Sequence, residues 1–389
     1  METKTVRLGD VAIVNPRLPL TKGTIARKIP MEALTAHQRH IDSFFYEKYS
    51  GGVKFQNGDT LVARITPSLE NGKTSYVDLL DKDEIAFGST EFIVLRAKNK
   101  LILPKFLYYI SISDDFRQMA IQSMTGTSGR QRVQSESVIN YEFSLPDIEK
   151  QTAIVDLLDA IDQKLKINQQ INKNLLKLSV LEFNKWLDST QSNQYTSLDK
   201  IASFKNGIAM QKFSPTDKIH VLPVIKIREL NQGYIDSNSD SVTSVIDDDV
   251  KVHNGNLVFS WSGTLSAKIW TDGDAALNQH LFKVTSNRWP KWFYYLWVLH
   301  HLNTFRGIAA DKKTTMGHIK RKDLTNAKVL IPNAKEFKNL DTILNPIIEQ
   351  MVNGGIESKN LIDIRNILLP KLLSGSMDLS SIEETINND

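Results

Sequence analysis

The side chains of this 389-residue chain best suited to chemistry are basic and amide-bearing, and they gather in short polar segments. "ARITPSLENGKTS" (63–75) carries Arg64, Thr66, Asn71 and Lys73. Thr90 and Glu91 stand at the head of "STEFIVL", and Arg130 and Arg132 lie in "GTSGRQR" (126–132). Later in the chain come Lys268 in "SWSGTLSAKIW" (260–270), then Asn278, Gln279 and His280 in "LNQHLF". Lys313, Thr314, His318, Lys320 and Arg321 follow in "DKKTTMGHIKRK" (311–322). Lysine and arginine suit phosphate oxygens, whereas Asn, Gln, Arg and Glu match the donors and acceptors on base edges.

Other chemistry is not legible. There is no phosphate-binding P-loop, no G-x-G-x-x-G between a strand and a helix, no Asn-Pro-Pro-Tyr-type amino-methyltransferase motif and no H-E-x-x-H. "IESK" (356–359) falls within a helical pattern without a partnered acidic strand. His300-His301 follow a Trp- and Tyr-rich helix, where packing is expected rather than metal. No catalytic residue and no metal ligand is therefore assigned.

The elements that position these segments come in two copies. "SGRQRVQSESVINYEFSLP" (128–146) matches "TTMGHIKRKDLTNAKVLIP" (314–332) at its apolar positions, 186 residues apart. "PKFLYY" and "PKWFYY" share that offset. "STEFIVL" faces "NQHLFKV", "NGDTLVA" faces "NGNLVFS", and "RLGDVA" faces "SLDKIA", all in the same order. This is a two-fold internal repeat. Each copy reads as short strands and turns, with Asn57-Gly58 and Asn254-Gly255 as hairpin-type dipeptides. Short proline-opened helices follow, then one long helix.

The first long helix runs from Asp147, its N-cap, to Leu187 without Gly or Pro. Its seam (Ile154, Leu158, Ile161, Leu165) has coiled-coil spacing, interrupted by Asn168 and Asn172. The second opens on an Asn333/Glu336 capping box. A kink or break is expected at Gly354-Gly355, with further disturbance at Pro346. Two such helices can bury each other's seam if antiparallel, with a globule at each end and the polar break as the place where length changes most easily.

Bulk properties agree with a multidomain globular protein: 41% hydrophobic, 24% charged, net charge +4. No apolar run reaches membrane length, the N-terminus has no apolar signal region, and zero cysteines fit a reducing cytoplasm.

The segments "GDTLVARITPSLENGK", "STEFIVLR", "FSLPDIEKQTAIVDLLDAIDQKL", the turn before "LTNAKVLIP", and "LLPKLLSGSMDL" resemble the specificity subunit of type I restriction-modification enzymes over essentially the whole chain. "IPNAKEFKNLDTI" departs from that family's Pro-rich turn and Glu-Gln pair. The resemblance implies an α+β architecture of two repeated α/β target-recognition domains separated by two long helices packed as an antiparallel coiled coil. The expected boundaries are 1–147 and 191–333 for these domains, 148–190 and 334–377 for the helices, and 378–389 for a disordered acidic tail. It further implies double-stranded DNA as ligand, read as a bipartite asymmetric site. The helices would set the spacer and dock two modification subunits, which bring S-adenosylmethionine; a restriction subunit can join. The chain itself would hold no cofactor and catalyse nothing. Rival readings are a coiled-coil adaptor, which leaves the duplicated polar loops idle, and a self-contained methyltransferase or nuclease, which lacks its motif.

Within that frame Glu91 is expected to accept from cytosine N4, and Asn278 or Gln279 to pair with adenine. Phosphate contacts are expected from Lys73, Arg130, Arg132, Lys313, Lys320 and Arg321. Lys320, Arg321 and Lys322, if on a strand, could not all face one way.

Overall fold

The repeat is present strand for strand in a computed structural model, which describes residues 4–41, 43–98, 100–127, 129–215, 219–236, 238–311 and 317–377. Lys313, Thr314 and the acidic tail 378–389 lie outside the described residues. The chain divides into two compact units: Met1–Lys166 with Ile362–Asp389, and Ile167–Leu361. No helix among the described residues is long and apolar enough to cross a membrane.

In the first unit, one antiparallel sheet has the order Ala12–Val14, Phe92–Ala97, Thr60–Ala63, Thr74–Tyr76. A second sheet has the order Phe45–Lys48, Ile25–Ile29, Ala86–Gly88, Val53–Phe55, with its middle pair parallel. The second unit repeats both. Its first sheet is Ser203–Asn206, Leu281–Thr285, Leu257–Ser260, Ala267–Ile269, and its second is Ser241–Thr243, Val221–Ile225, Ala275–Leu277, Lys251–Val252. Register is kept as well: Thr60 pairs with Leu95 and Leu257 with Val284, Ala63 with Phe92 and Ser260 with Leu281. Both strands, Thr60–Ala63 and Leu257–Ser260, are buried along their whole length. That explains why they read as continuous runs and not as alternating ones.

The Asn-Gly turns are correctly placed but are not hairpins. Gly58 and Gly255 have φ of 90° and 85°, yet each turn carries the chain from one sheet to the other. The asparagines serve a different bond: Asn57 Oδ1 accepts from Leu80 N–H, and Asn254 Oδ1 from Gly273 N–H. The helices expected after proline are Pro104–Ile112 and Lys291–Ala310; the second is 20 residues long and not short.

The long helices are Ile148–Ser189 and Ala334–Leu373. Asp147 Oδ1 caps the first through Lys150 N–H at 2.8 Å. The second has the full capping box: Asn333 N–H donates to Glu336 Oε2 at 3.0 Å, and Glu336 N–H to Asn333 Oδ1 at 2.9 Å. Where the family's glutamine would stand, Phe337 packs on Trp289 and Trp292; its counterpart Gln151 is buried and bonds Leu103 N–H and Pro146 O.

In both units the helices run antiparallel. In the second, Asn168 faces Glu357 and Thr190 faces Glu336; in the first, Asp162 meets Arg365. The expected break at Gly354-Gly355 does not occur, and helix continues through Pro346. The glycines are there for close approach. A Cβ on Gly354 would lie 3.0 Å from Asn172 Oδ1, and one on Gly355 2.5 Å from Thr271 Oγ1. Nor is the polar break a loose place. Asn168 is 4% exposed and donates to Glu357 at 2.7 Å, and Asn172 donates to Met351 O at 3.1 Å. These amides fix register across the seam.

Candidate nucleic-acid interface

Each unit brings three loop segments together with the same backbone bonds. In the first, Arg64 N–H donates to Glu91 O (2.9 Å), Val133 N–H to Arg64 O (2.9 Å) and Thr66 N–H to Gln131 O (3.1 Å). In the second, Trp261 N–H donates to His280 O (3.4 Å), Ile319 N–H to Trp261 O (3.0 Å) and Gly263 N–H to Gly317 O (2.9 Å). Isolated bridges agree, Ile65 with Arg132 and Ser262 with His318. Arg64, Glu91 and Arg132 thus occupy the positions that Trp261, His280 and His318 occupy in the other copy. A shared main-chain frame carries two unlike sets of side chains.

The first set is ionic. Arg132 grips Glu91 with Nε and Nη2, the shortest contact being 2.7 Å. The hydrogen bond from Arg132 holds the Glu91 carboxyl below its ordinary range, and the same bond raises Arg132. The Arg64 charge adds to the depression. Thr66 Oγ1 rests against Met124 Sδ. The second set is aromatic. The Trp261 ring lies 5.8 Å from His280 and 6.3 Å from His318, and Ser262 Oγ is 3.1 Å from His280 Nδ1.

The structure sorts the remaining candidates. Thr90 is exposed, and its counterpart Gln279 is half-buried with Nε2 3.4 Å from His280 Nε2. Asn278 is a different case from the reader expected of it. It is 6% exposed and its Oδ1 accepts from His280 N–H, as Ser89 Oγ accepts from Glu91 N–H. In both copies this residue shapes the turn. Glu91 is likewise committed, both carboxylate oxygens being taken by Arg132. Lys73 Nζ donates to Met31 O, and Lys268 Nζ to Asn231 O; burial lowers the Lys268 ammonium.

Asn71 is half-buried in the turn that its N–H closes on Pro67 O. Arg130 and Lys320 are exposed. Arg321 is tethered through Nη2 to Phe204 O and over the Phe282 ring. The strand premise for 320–322 fails: Arg321–Asn326 is a helix, opened by Asp323 accepting from Lys320 N–H. A carboxylate at the third position captures the free amide, which outweighs the basic run. Sequence reasoning missed Trp261, although the offset that pairs "NGDTLVA" with "NGNLVFS" also pairs it with Arg64.

The family model "Type I restriction modification DNA specificity domain" matches residues 1–177 and again 192–359, one match for each repeat. The chain belongs to this family. It is 21% identical over 406 residues to the type I restriction enzyme HindI specificity subunit of Haemophilus influenzae, covering 83% of this chain and 87% of that protein. It is 28% identical over 185 residues to the EcoAI specificity subunit of Escherichia coli, covering 43% and 31% respectively. Among solved structures, the S subunit of a type I restriction-modification system from M. genitalium overlaps 96% of this chain and 95% of its own length. Its TM-score is 0.49 at 13% identity.

Proposed function

We propose that this chain is the DNA-reading subunit of a type I restriction-modification assembly. Each unit binds one half of a bipartite, asymmetric double-stranded site. The two long helices, each contributing to both units, set the spacer and dock two modification subunits that carry S-adenosylmethionine. The chain's own part is recognition, not catalysis, in the cytoplasm, and a restriction subunit can join.

One observation carries this reading: three equivalent positions, held by the same backbone bonds, bear Arg, Glu and Arg in one unit and Trp, His and His in the other. Two heads that read different half-sites require a common scaffold with divergent side chains where bases are met. Docking of two copies of one partner is supported by exposed apolar residues that recur at the repeat offset. Leu178 and Leu181 on the first helix are 43% and 65% exposed, and Ile364 and Ile367 on the second are 47% and 57%. Apolar pairs left outside on both helices suit helical partners.

Selection from random duplexes by the chain with its modification subunits tests the reading. The expected result is one sequence motif in two parts with an unread spacer. Substitution of exposed Arg130 or Lys320 should weaken binding about equally on all sequences and lower the salt slope by roughly one. Enrichment of a single contiguous motif, or of none, overturns it.

A further inference from the structure

The Arg132–Glu91 pair is built as a unit. The Arg132 amide donates to Thr125 O at 2.9 Å, and its carbonyl accepts from Thr125 N–H at 3.1 Å. Its neighbours Gln131 and Val133 are tied to Thr66 and Arg64. The guanidinium meets Glu91 side-on: Nε donates to Oε1 at 3.1 Å and Oε2 at 3.0 Å, and Nη2 donates to Oε1 at 2.7 Å. This arrangement uses the Nε–H and one Nη2–H of the five N–H groups. The outer edge, formed by Nη1 and the second Nη2–H, has no hydrogen bond to a described residue, and 44% of the side chain is exposed. Two parallel donors on a fixed fork match the O6 and N7 acceptors of guanine in the major groove; adenine offers a donor in place of O6.

We propose that Arg132 reads a guanine in the first unit's half-site, and that Glu91 is a positioning residue acting through it. The inference rests on the DNA-reading function proposed above and narrows it to one residue and one base. It reverses the two sequence expectations: Arg132 moves from phosphate to base, and Glu91 from cytosine to guanidinium. A free surface arginine must be ordered when DNA arrives. One already clamped by a carboxylate has lost its rotamer freedom on folding, so less is lost on binding. The second unit has no such fork, because His318 and His280 hold the equivalent positions. The guanine contact therefore belongs to one half-site only.

The test uses the chain in complex with its modification subunits, on duplexes varied one base pair at a time. Wild type is compared with Arg132→Ala, Arg132→Lys and Glu91→Gln. In Arg132→Ala, preference for guanine at one pair of one half-site should fall roughly ten- to hundredfold, with the other half-site read as before. Arg132→Lys keeps the charge but not the fork, and should fail to restore that preference. Glu91→Gln should reduce it at the same base pair and at no other. If Arg132→Ala weakens all duplexes equally and Arg132→Lys restores binding, the residue is a phosphate contact and the proposal is overturned. If Glu91→Gln alters the preference while Arg132→Lys leaves it intact, Glu91 reads the base itself, and the proposal is again overturned. A wild-type complex that enriches no bipartite sequence would sink the DNA-reading function itself, a result distinct from either.

Discussion

Replacing Arg365 with leucine should unfold the first unit well before the second. Arg365 is 3% exposed; Nη1 donates to Asp162 Oδ1 at 2.7 Å and Nη2 to His37 O at 3.0 Å. Asp162 is 2% exposed and also accepts from the Tyr109 hydroxyl at 3.0 Å. Burial works against the Arg365 charge, and the Asp162 carboxylate, with Tyr108 and Tyr109 beside it, more than offsets that cost. Arg365→Leu leaves that carboxylate buried with one neutral donor, a loss of about 3–5 kcal/mol. With a urea dependence of about 2 kcal/mol per molar, the midpoint of this unit should fall by about 1.5–2.5 M.

The double variant Asp162→Leu/Arg365→Leu removes both charges and should recover most of the loss. It falls short by about 1–2 kcal/mol, because the Arg365–His37 and Tyr109–Asp162 hydrogen bonds are lost as well. The second unit already works this way, with buried Ile348 and Ser179 at the positions of Asp162 and Arg365. The assay is built into the composition: all six tryptophans lie between 186 and 297, inside the second unit. Urea unfolding of Arg365→Leu should show an early loss of circular dichroism that is silent in tryptophan fluorescence. A double variant as unstable as the single one, or an early transition that moves the tryptophan signal, would refute the argument.

Other outcomes follow from single contacts. Gly355→Ala should destabilise the second unit by about 1–3 kcal/mol less the helix-propensity gain, since the new methyl meets Thr271 Cβ at 2.9 Å as well as its Oγ1. Gly307→Ala, in the exposed part of Lys291–Ala310 with nothing within 4 Å, should instead stabilise by up to about 1 kcal/mol. Asn333→Ala should cost about 1 kcal/mol in the same fluorescence-detected unfolding, through loss of the cap. Burial lowers His300 and His301 from the ordinary 6.5, so they stay neutral in the folded unit while the unfolded chain takes up protons. Stability of the second unit should therefore decline as pH falls below about 6.5, and His301→Phe should flatten that slope in tryptophan-detected melts.

Much of the architecture was legible because apolar spacing survives divergence. The repeat, the two long helices and both caps depend on local patterns: Asn333 with Glu336, Asp147 ahead of a run without Gly or Pro. The glycines of the second helix were misread because local propensity treats a missing Cβ as a break. What decides the matter is the distance to Asn172 and Thr271, contributed by other parts of the chain. The Asn-Gly turns misled in the same way, since a turn residue reports φ and not which sheet the next strand joins.

The candidate site divides along the same line. Sequence alone determined which segments are polar, that they occur twice, and that Glu91 corresponds to His280. Each of these follows from residue type and order along one chain. Only tertiary structure decided that Arg132 closes on Glu91, that Asn278 is spent on a turn, and that Trp261 stands where Arg64 does. The first and last of these depend on hydrogen bonds between segments some 20 to 70 residues apart, and the geometry of such bonds is set by the packed sheets that hold the loops. The Asn278 bond spans only two residues, but which way the amide turns is decided by the fold around it.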